Sequence, residues 1–178
     1  MMEKFVGPSA LEIVQGDITR QDTEAIGNAA NAALAGGGGV DGAIHKAGGP
    51  AIMDELKKKY IGCPTGSAVM TGGGRLSSRY VIHAVGPRYR GKPEDKGLLK
   101  NAYESSLRLC SEHRIESISL PSISTGVYGY PVEEASQIAI KTVVDYLQKH
   151  QEIKRVRFVL FDRQTYDQYS KTAKELLP

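Results

Sequence analysis

Two short stretches of this chain concentrate residue types that can hold phosphate and sugar. The first runs Asn28-Ala29-Ala30-Asn31-Ala32-Ala33-Leu34-Ala35 and then Gly36-Gly37-Gly38-Gly39-Val40-Asp41-Gly42-Ala43-Ile44-His45. Glycines leading into a helix expose backbone N–H groups beside a positive helix terminus, an arrangement suited to phosphate. On the glycines alone, a flexible loop is an equal reading. Gly37, Gly39 and Gly42 also satisfy G-x-G-x-x-G. That fingerprint needs a strand directly before it and an acid about 20 residues on, and neither is convincing where a polar, alanine-rich segment separates Ile26 from the glycines. No Walker lysine follows. The flanking residues favour a binding role: Asn28 and Asn31 can fix sugar hydroxyls, and Asp41 and His45 stand at i, i+4 on one helix face.

The second stretch is Ser124-Thr125-Gly126-Val127-Tyr128-Gly129-Tyr130-Pro131. It follows a short apolar run and precedes a helical pattern. Taken alone it is an ordinary strand-to-helix loop with Pro131 in the first helical turn. Ligands of open α/β sheets bind where strands end and loops feed helices, so two such loops could clamp opposite sides of a diphosphate. Asp17 could accept from an exocyclic amine or cap a short turn with Thr19. Phe161 and Tyr128 could stack on a base or sugar, or belong to the core. His45, His83, His113 and His150 show no metal-ligand spacing with one another or with Cys63 and Cys110, so neither a structural zinc nor any other metal is expected. No G-x-S-x-G elbow occurs, and neither cysteine sits in an activating motif.

The elements that must position these residues are legible as alternating strands and helices. Strand patterns cover Leu11 to Gln15, Ala25 to Gly27, Ser117 to Leu120 and Val156 to Phe161, the last two continuously apolar like strands buried on both faces. Gly66 to Thr71 and Tyr80 to Val85 flank Gly72-Gly73-Gly74 as a hairpin-like pair. Helical patterns cover Val40 to Tyr60, Gly97 to His113, Val132 to His150 and Arg163 to Leu177. The interleaving predicts a three-layer α/β/α sandwich around a central sheet, in a single domain spanning residues 1–178.

Composition sets the outer limits. At 178 residues, 40% apolar and 24% charged, the chain matches ordinary globular proteins, and disorder and coiled coil are excluded. A net charge of +3 is too mild to announce a nucleic-acid partner. No apolar run reaches the roughly 18 residues of a membrane span, and the first eight residues lack the apolar core of a signal peptide. Two distant cysteines form no disulfide framework, so a reducing, cytoplasmic setting is expected.

Taken in order, Gly16-Asp17-Ile18-Thr19, Asn28-Ala29-Ala30-Asn31, Gly36 to His45 and Ile123 to Pro131 resemble the macrodomain family, and the Gly-Gly-Gly-Gly-Val-Asp-Gly-Ala-Ile-His run resembles its MacroD-type branch. Tyr80 to Pro87 and Phe158 to Asp162 add to the likeness, which extends from about Leu11 to about Leu176. The resemblance implies a mixed, mostly parallel sheet and a cleft for ADP-ribose. Asp17 would accept from the adenine amino group, Ile18 would supply a backbone N–H, and Phe161 would stack on the base. Gly38, Gly39 and Val40 would line one side of the diphosphate, and Ser124, Thr125, Gly126, Val127 and Tyr128 the other. Asn31 would hold a hydroxyl of the distal ribose, with the Tyr128 ring against that sugar.

The branch removes mono-ADP-ribose from acidic side chains and deacetylates O-acetyl-ADP-ribose without metal or cofactor. Asp41 would then be the general base, Asn31 and Asp41 would orient the ribose, and His45 would be either a ribose contact or a structural histidine. A non-catalytic ADP-ribose reader and an ADP-ribose 1″-phosphate phosphatase are the rivals; readers often lack the Val-Asp-Gly context of Asp41. The expected partners are ADP-ribose, mono-ADP-ribosylated protein and O-acetyl-ADP-ribose, for a monomer. Three departures stand out. Gly27 replaces a β-branched residue and Lys46-Ala47-Gly48-Gly49 replaces Arg-Ala-Ala-Gly, both of which read as packing variants; Tyr128 replaces a phenylalanine and keeps its stacking face.

Overall fold

A computed structural model covers residues 1–178. Strands β1 (Met2–Val6), β2 (Ser9–Gln15), β3 (Ala25–Ala29), β4 (Ala68–Gly72), β5 (Tyr80–Ala84), β6 (Ser117–Leu120) and β7 (Arg155–Leu160) form one seven-stranded sheet in the order β1-β2-β7-β6-β3-β5-β4. The five inner strands are parallel, and β1 and β4 run antiparallel at the two edges. Helices α1 (Gly39–Gly48) and α2 (Pro50–Lys59) cover one face; α3 (Pro93–Glu112), α4 (Val132–Lys149) and α5 (Arg163–Leu176) cover the other.

The apolar strand runs explain this layering. Successive strand side chains point to opposite faces, so a strand covered on both sides is largely apolar along its length. Phe158 and Leu160 of β7 enter the large core under α3, α4 and α5, while Val159 between them enters the smaller core under α1 and α2. Ala25 and Ile26 of β3 divide in the same way, as do Ile82 and Val81 of β5. The mixed, mostly parallel sheet in an α/β/α sandwich is the architecture expected.

Two local expectations need correction. The single helix read over Val40 to Tyr60 is two helices, broken at Gly49. That residue takes φ +80°, which only glycine adopts readily, and Pro50 then opens α2 at a position where its missing N–H costs nothing. Strand β1 had no counterpart in the sequence reading; its five residues pair with β2 from Met2 opposite Ile13 to Val6 opposite Ser9. Gly27 has a packing reason: a Cβ there would lie 3.0 Å from Leu120 Cδ2 and 3.1 Å from Pro121 Cδ. No helix is long and apolar enough to cross a membrane.

The large core also shapes the loop after β6. Tyr103 of α3 is fully buried; its hydroxyl donates to the Pro121 carbonyl at 2.9 Å and accepts the Ile123 N–H at 2.8 Å. The Tyr169 and Ser122 hydroxyls pair at 2.7 Å. A packed aromatic layer thus fixes the backbone that leads to Ser124.

Candidate functional site

All five parallel strands deliver their C-terminal ends to one edge of the sheet, and the candidate site residues follow those ends directly or, for Asp41 and His45, stand on the helix that the glycine run opens. β2 leads to Asp17, β7 to Phe161, β6 to Ser124–Tyr128, β3 to Asn31 and the glycine run, and β5 to Gly86-Pro87-Arg88. Such an edge is where open α/β sheets place their ligands.

At one end, Asp17 and Phe161 follow adjacent strands, joined by a Gly16 N–H to Leu160 carbonyl bond of 2.9 Å. Asp17 caps the short 3₁₀ turn Ile18–Arg20: its Oδ1 accepts the Thr19 N–H at 2.9 Å and the Thr19 hydroxyl at 2.7 Å. Those two bonds hold its carboxyl below the usual range. Capping and ligand acceptance are compatible, because Oδ2 takes part in neither bond. Phe161 is 82% exposed, so it belongs to no core and offers a free aromatic face.

In the middle, two backbone loops present donors. The N–H groups of Gly37, Gly38, Gly39 and Val40, at the start of α1, have no acceptor within the protein, nor do those of Thr125, Gly126, Val127 and Tyr128. A Cβ on Gly42 would lie 2.5 Å from the Gly37 carbonyl oxygen, so only glycine lets the loop close this tightly on the helix. The second loop is tied down by Tyr130 N–H to Ser124 carbonyl (2.9 Å) and Tyr89 N–H to Tyr128 carbonyl (2.8 Å) bonds. Ser124 sits at φ +70°, a strained conformation for a non-glycine residue and one that clusters at ligand clamps.

The other end is a buried polar chain. Asn28 is fully buried on β3, directly opposite His83 on β5. Its Nδ2 donates to Asp41 Oδ1 at 2.8 Å and lies 3.1 Å from His83 Nδ1. His83 Nε2 is 2.9 Å from Thr71 Oγ1, which itself reaches the Gly72 carbonyl at 3.0 Å. This chain assigns a neutral His83, accepting at Nδ1 and donating from Nε2. Burial, with His45 adding to it, pushes the His83 pKa down to about 3, which keeps the ring neutral.

Asp41 also has His45 Nε2 at 3.2 Å from Oδ1, while a Cβ on Gly37 would lie 3.7 Å from Oδ2, so that oxygen looks toward the glycine loop. Asn28 Oδ1, His45 Nδ1 and Ser124 Oγ are buried without a hydrogen-bond partner, a costly condition that a bound polar group would relieve.

Asn31 serves the loop itself. Its Nδ2 donates to the Gly36 carbonyl at 2.9 Å and its Oδ1 accepts the Ala35 N–H at 3.1 Å, bracing the turn that carries the glycines. Tyr128 is half-buried, with the Arg88 guanidinium 5.0 Å from its ring centroid. Beside Asn31 and Tyr128 opens a cavity of about 610 Å³.

The structure brings the loops singled out in the sequence to one sheet edge and adds His83 and Arg88, which the sequence reading did not name as neighbours of the site. His83 could have been found only through the β3–β5 register, which no local pattern encodes. No three His, Cys, Asp or Glu side chains converge as a metal site would require.

The comparisons with known proteins converge on one family. A Macro domain family model matches residues 27–139. The chain is 54% identical to a Macro domain-containing protein of Caldanaerobacter subterraneus subsp. tengcongensis, over 93% of this chain and 97% of that protein. It is 47% identical to O-acetyl-ADP-ribose deacetylase 1 of Pantoea vagans, over 90% of this chain and 96% of the relative. Among solved structures, the Oceanobacillus iheyensis macrodomain with ADP superposes with a TM-score of 0.93 at 43% identity, covering 98% of this chain and 95% of that one. With two donor loops closing on a sheet edge and likeness over nearly the full length, the chain belongs to the Macro domain family.

Proposed function

We propose that this protein binds ADP-ribose and hydrolyses esters of its distal ribose, acting on O-acetyl-ADP-ribose and on mono-ADP-ribosyl groups attached to acidic side chains. The relatives named O-acetyl-ADP-ribose deacetylase support the enzymatic reading. The observation that carries it is Asp41: a buried carboxylate whose Oδ1 is held by Asn28 and His45 while Oδ2 is turned toward the glycine loop. A ligand reader needs donors for phosphate, which both loops supply. It has no need of a carboxylate fixed this firmly beside them.

In this reading Asp17 accepts from the adenine amine, Ile18 N–H assists, and Phe161 stacks on the base. The N–H groups of Gly38, Gly39 and Val40 and of Ser124 to Tyr128 hold the diphosphate from two sides, where both helix dipole and free donors favour negative charge. Asn31 and the Tyr128 ring place the distal ribose. A water positioned between the α-phosphate and C1″ attacks, its hydroxyl joins C1″, and the C1″–oxygen bond breaks to release the carboxylate. Asp41 Oδ2 takes the water's proton. The bond is reactive enough for positioning and one base to supply most of the acceleration. His45 and Asn28 keep Asp41 oriented through Oδ1.

The test follows free ADP-ribose released from a protein mono-ADP-ribosylated on glutamate, and acetate released from O-acetyl-ADP-ribose, by wild type and Asp41→Ala. Loss of the base should slow turnover by about 10²–10⁴-fold, with ADP-ribose affinity within about tenfold of wild type. Tight ADP-ribose binding by a wild type that releases nothing would make the protein a reader. Phosphate release from ADP-ribose 1″-phosphate as the only activity would make it a phosphatase.

A further inference from the structure

An ADP-ribosylated protein must lead its polypeptide away from the distal ribose, and the cavity beside Asn31 and Tyr128 is where it would pass. Arg88, Arg90 and Lys92 all contribute to the wall of that cavity, and all three are exposed. None of them is within ion-pair distance of a carboxylate. Of the two acidic residues on the same wall, Asp95 is buried and already committed: its Oδ2 accepts the backbone N–H groups of Arg90 at 2.8 Å and Lys92 at 3.2 Å. Glu94 is the one exposed carboxylate among the three cations, and although the charge of Asp95 also acts on Arg90 from the interior, the wall stays net positive. Arg88 also lies over the Tyr128 ring, the same ring assigned to the distal ribose.

We propose that this cavity is the subsite for the polypeptide side of the substrate and that it selects acidic segments, side-chain carboxylates flanking the modified residue pairing with Arg88, Arg90 and Lys92. The assignment rests on the hydrolase reading above. Guanidinium groups match carboxylates in geometry as well as charge and can bind them through two parallel hydrogen bonds. Phosphodiesters share the charge but fit the surroundings less well. The Tyr128 ring is already engaged by Arg88 and, in the hydrolase reading, by the distal ribose; no further aromatic ring lines the cavity for a base to stack on, and the net charge of the chain is only +3.

The experiment uses two synthetic peptides of equal length, each mono-ADP-ribosylated on one central glutamate, with aspartates flanking it in one and asparagines in the other. Wild type should cleave the acidic peptide with roughly tenfold higher kcat/KM at low salt, mostly through KM, and the gap should close as ionic strength screens it. Arg90→Gln combined with Lys92→Gln should bring the two peptides within about twofold of each other. Turnover of O-acetyl-ADP-ribose, which carries no peptide, should stay at the wild-type level in that variant.

Equal treatment of the two peptides by wild type would overturn the proposal and leave the hydrolase reading standing. Persistence of the preference in the double variant would overturn it too. Stronger inhibition by a short single-stranded oligonucleotide than by the unmodified acidic peptide would reassign the patch to phosphodiesters. Failure of wild type to cleave even O-acetyl-ADP-ribose would remove the hydrolase reading, and the peptide subsite with it.

Discussion

The two ends of the cleft are built on different principles. The end formed by Asp17 and Phe161 is superficial: a capping carboxylate held by a residue two positions away, and an aromatic ring that is 82% exposed. The end formed by Asn28, Asp41, His45 and His83 is interior, and its hydrogen bonds join α1, β3, β5 and β4. Groups that only recognise a ligand can be held locally, since small displacements cost little affinity. A group that must hold its geometry during a reaction needs a supporting shell drawn from several elements. The contrast implies that substitutions at the interior end should damage both stability and chemistry, and substitutions at the superficial end binding alone.

His83→Ala is the strongest test of that contrast. It deletes a fully buried ring and takes one of two hydrogen-bond partners from the Asn28 amide and from the Thr71 hydroxyl. Lost packing and lost hydrogen bonds together should cost on the order of 3 kcal/mol of unfolding free energy, with a fall in turnover because Asp41 loses its support. Denaturant unfolding and ester hydrolysis measure the two effects; an unchanged unfolding midpoint would break the distinction. His83→Gln refines it through pH. The ring is neutral in the folded protein down to about pH 3, whereas in the unfolded chain it takes a proton near the ordinary value of 6.5. The neutral ring's contribution is therefore fully present above pH 6.5 and is lost as pH falls from there toward 3. Each pH unit in that window is worth at most about 1.4 kcal/mol. Wild-type stability should thus decline more steeply between about pH 6 and pH 4 than that of His83→Gln.

The same contrast explains what was legible beforehand. Asp17, Phe161 and the two donor loops are sequence-local features, glycine runs and strand ends, and local features survive in a one-dimensional reading. The i, i+4 pairing of Asp41 with His45 is local too, and the structure places their side chains 3.2 Å apart. The contact of His83 with Asn28 spans 55 residues and depends on a strand register. Asn31, expected to face the ligand, also braces its own turn, because an asparagine beside a loop readily bonds nearby backbone. Among the elements, the break at Gly49 was lost because both helices share one apolar periodicity. Strand β1 was lost because, of its five residues, only Val6 is buried and two are exposed, which leaves little apolar pattern to read.

Phe161→Ala is the counterpart at the superficial end. Base stacking on an aromatic ring is worth about 1–3 kcal/mol, so ADP-ribose affinity measured by calorimetry should fall by roughly tenfold or more. Unfolding free energy should move by less than about 0.5 kcal/mol, as for other exposed positions. ADP-ribose binding without that loss would show that the base does not lie on this ring. A large stability loss would show that the superficial end is not superficial.

Ser124 lies between the two ends and should give the smallest effect. Its positive φ costs on the order of 1 kcal/mol relative to glycine, and its hydroxyl is buried without a partner, so the loop holds a conformation that its own residue disfavours. The restraint comes from outside, through the Tyr130 N–H on the Ser124 carbonyl and through Tyr103, which fixes Ile123 one residue earlier. Ser124→Gly removes the strain but adds backbone freedom to the unfolded chain, so the net gain in unfolding free energy should be below about 1 kcal/mol. If Tyr103 and Tyr130 suffice to preset the loop, ADP-ribose affinity should change by less than about threefold, since the donors from Thr125 to Tyr128 keep their places. A larger loss of affinity would mean that the serine side chain itself orders the clamp. The middle of the cleft would then depend on side-chain contacts as the interior end does, and no longer on backbone alone.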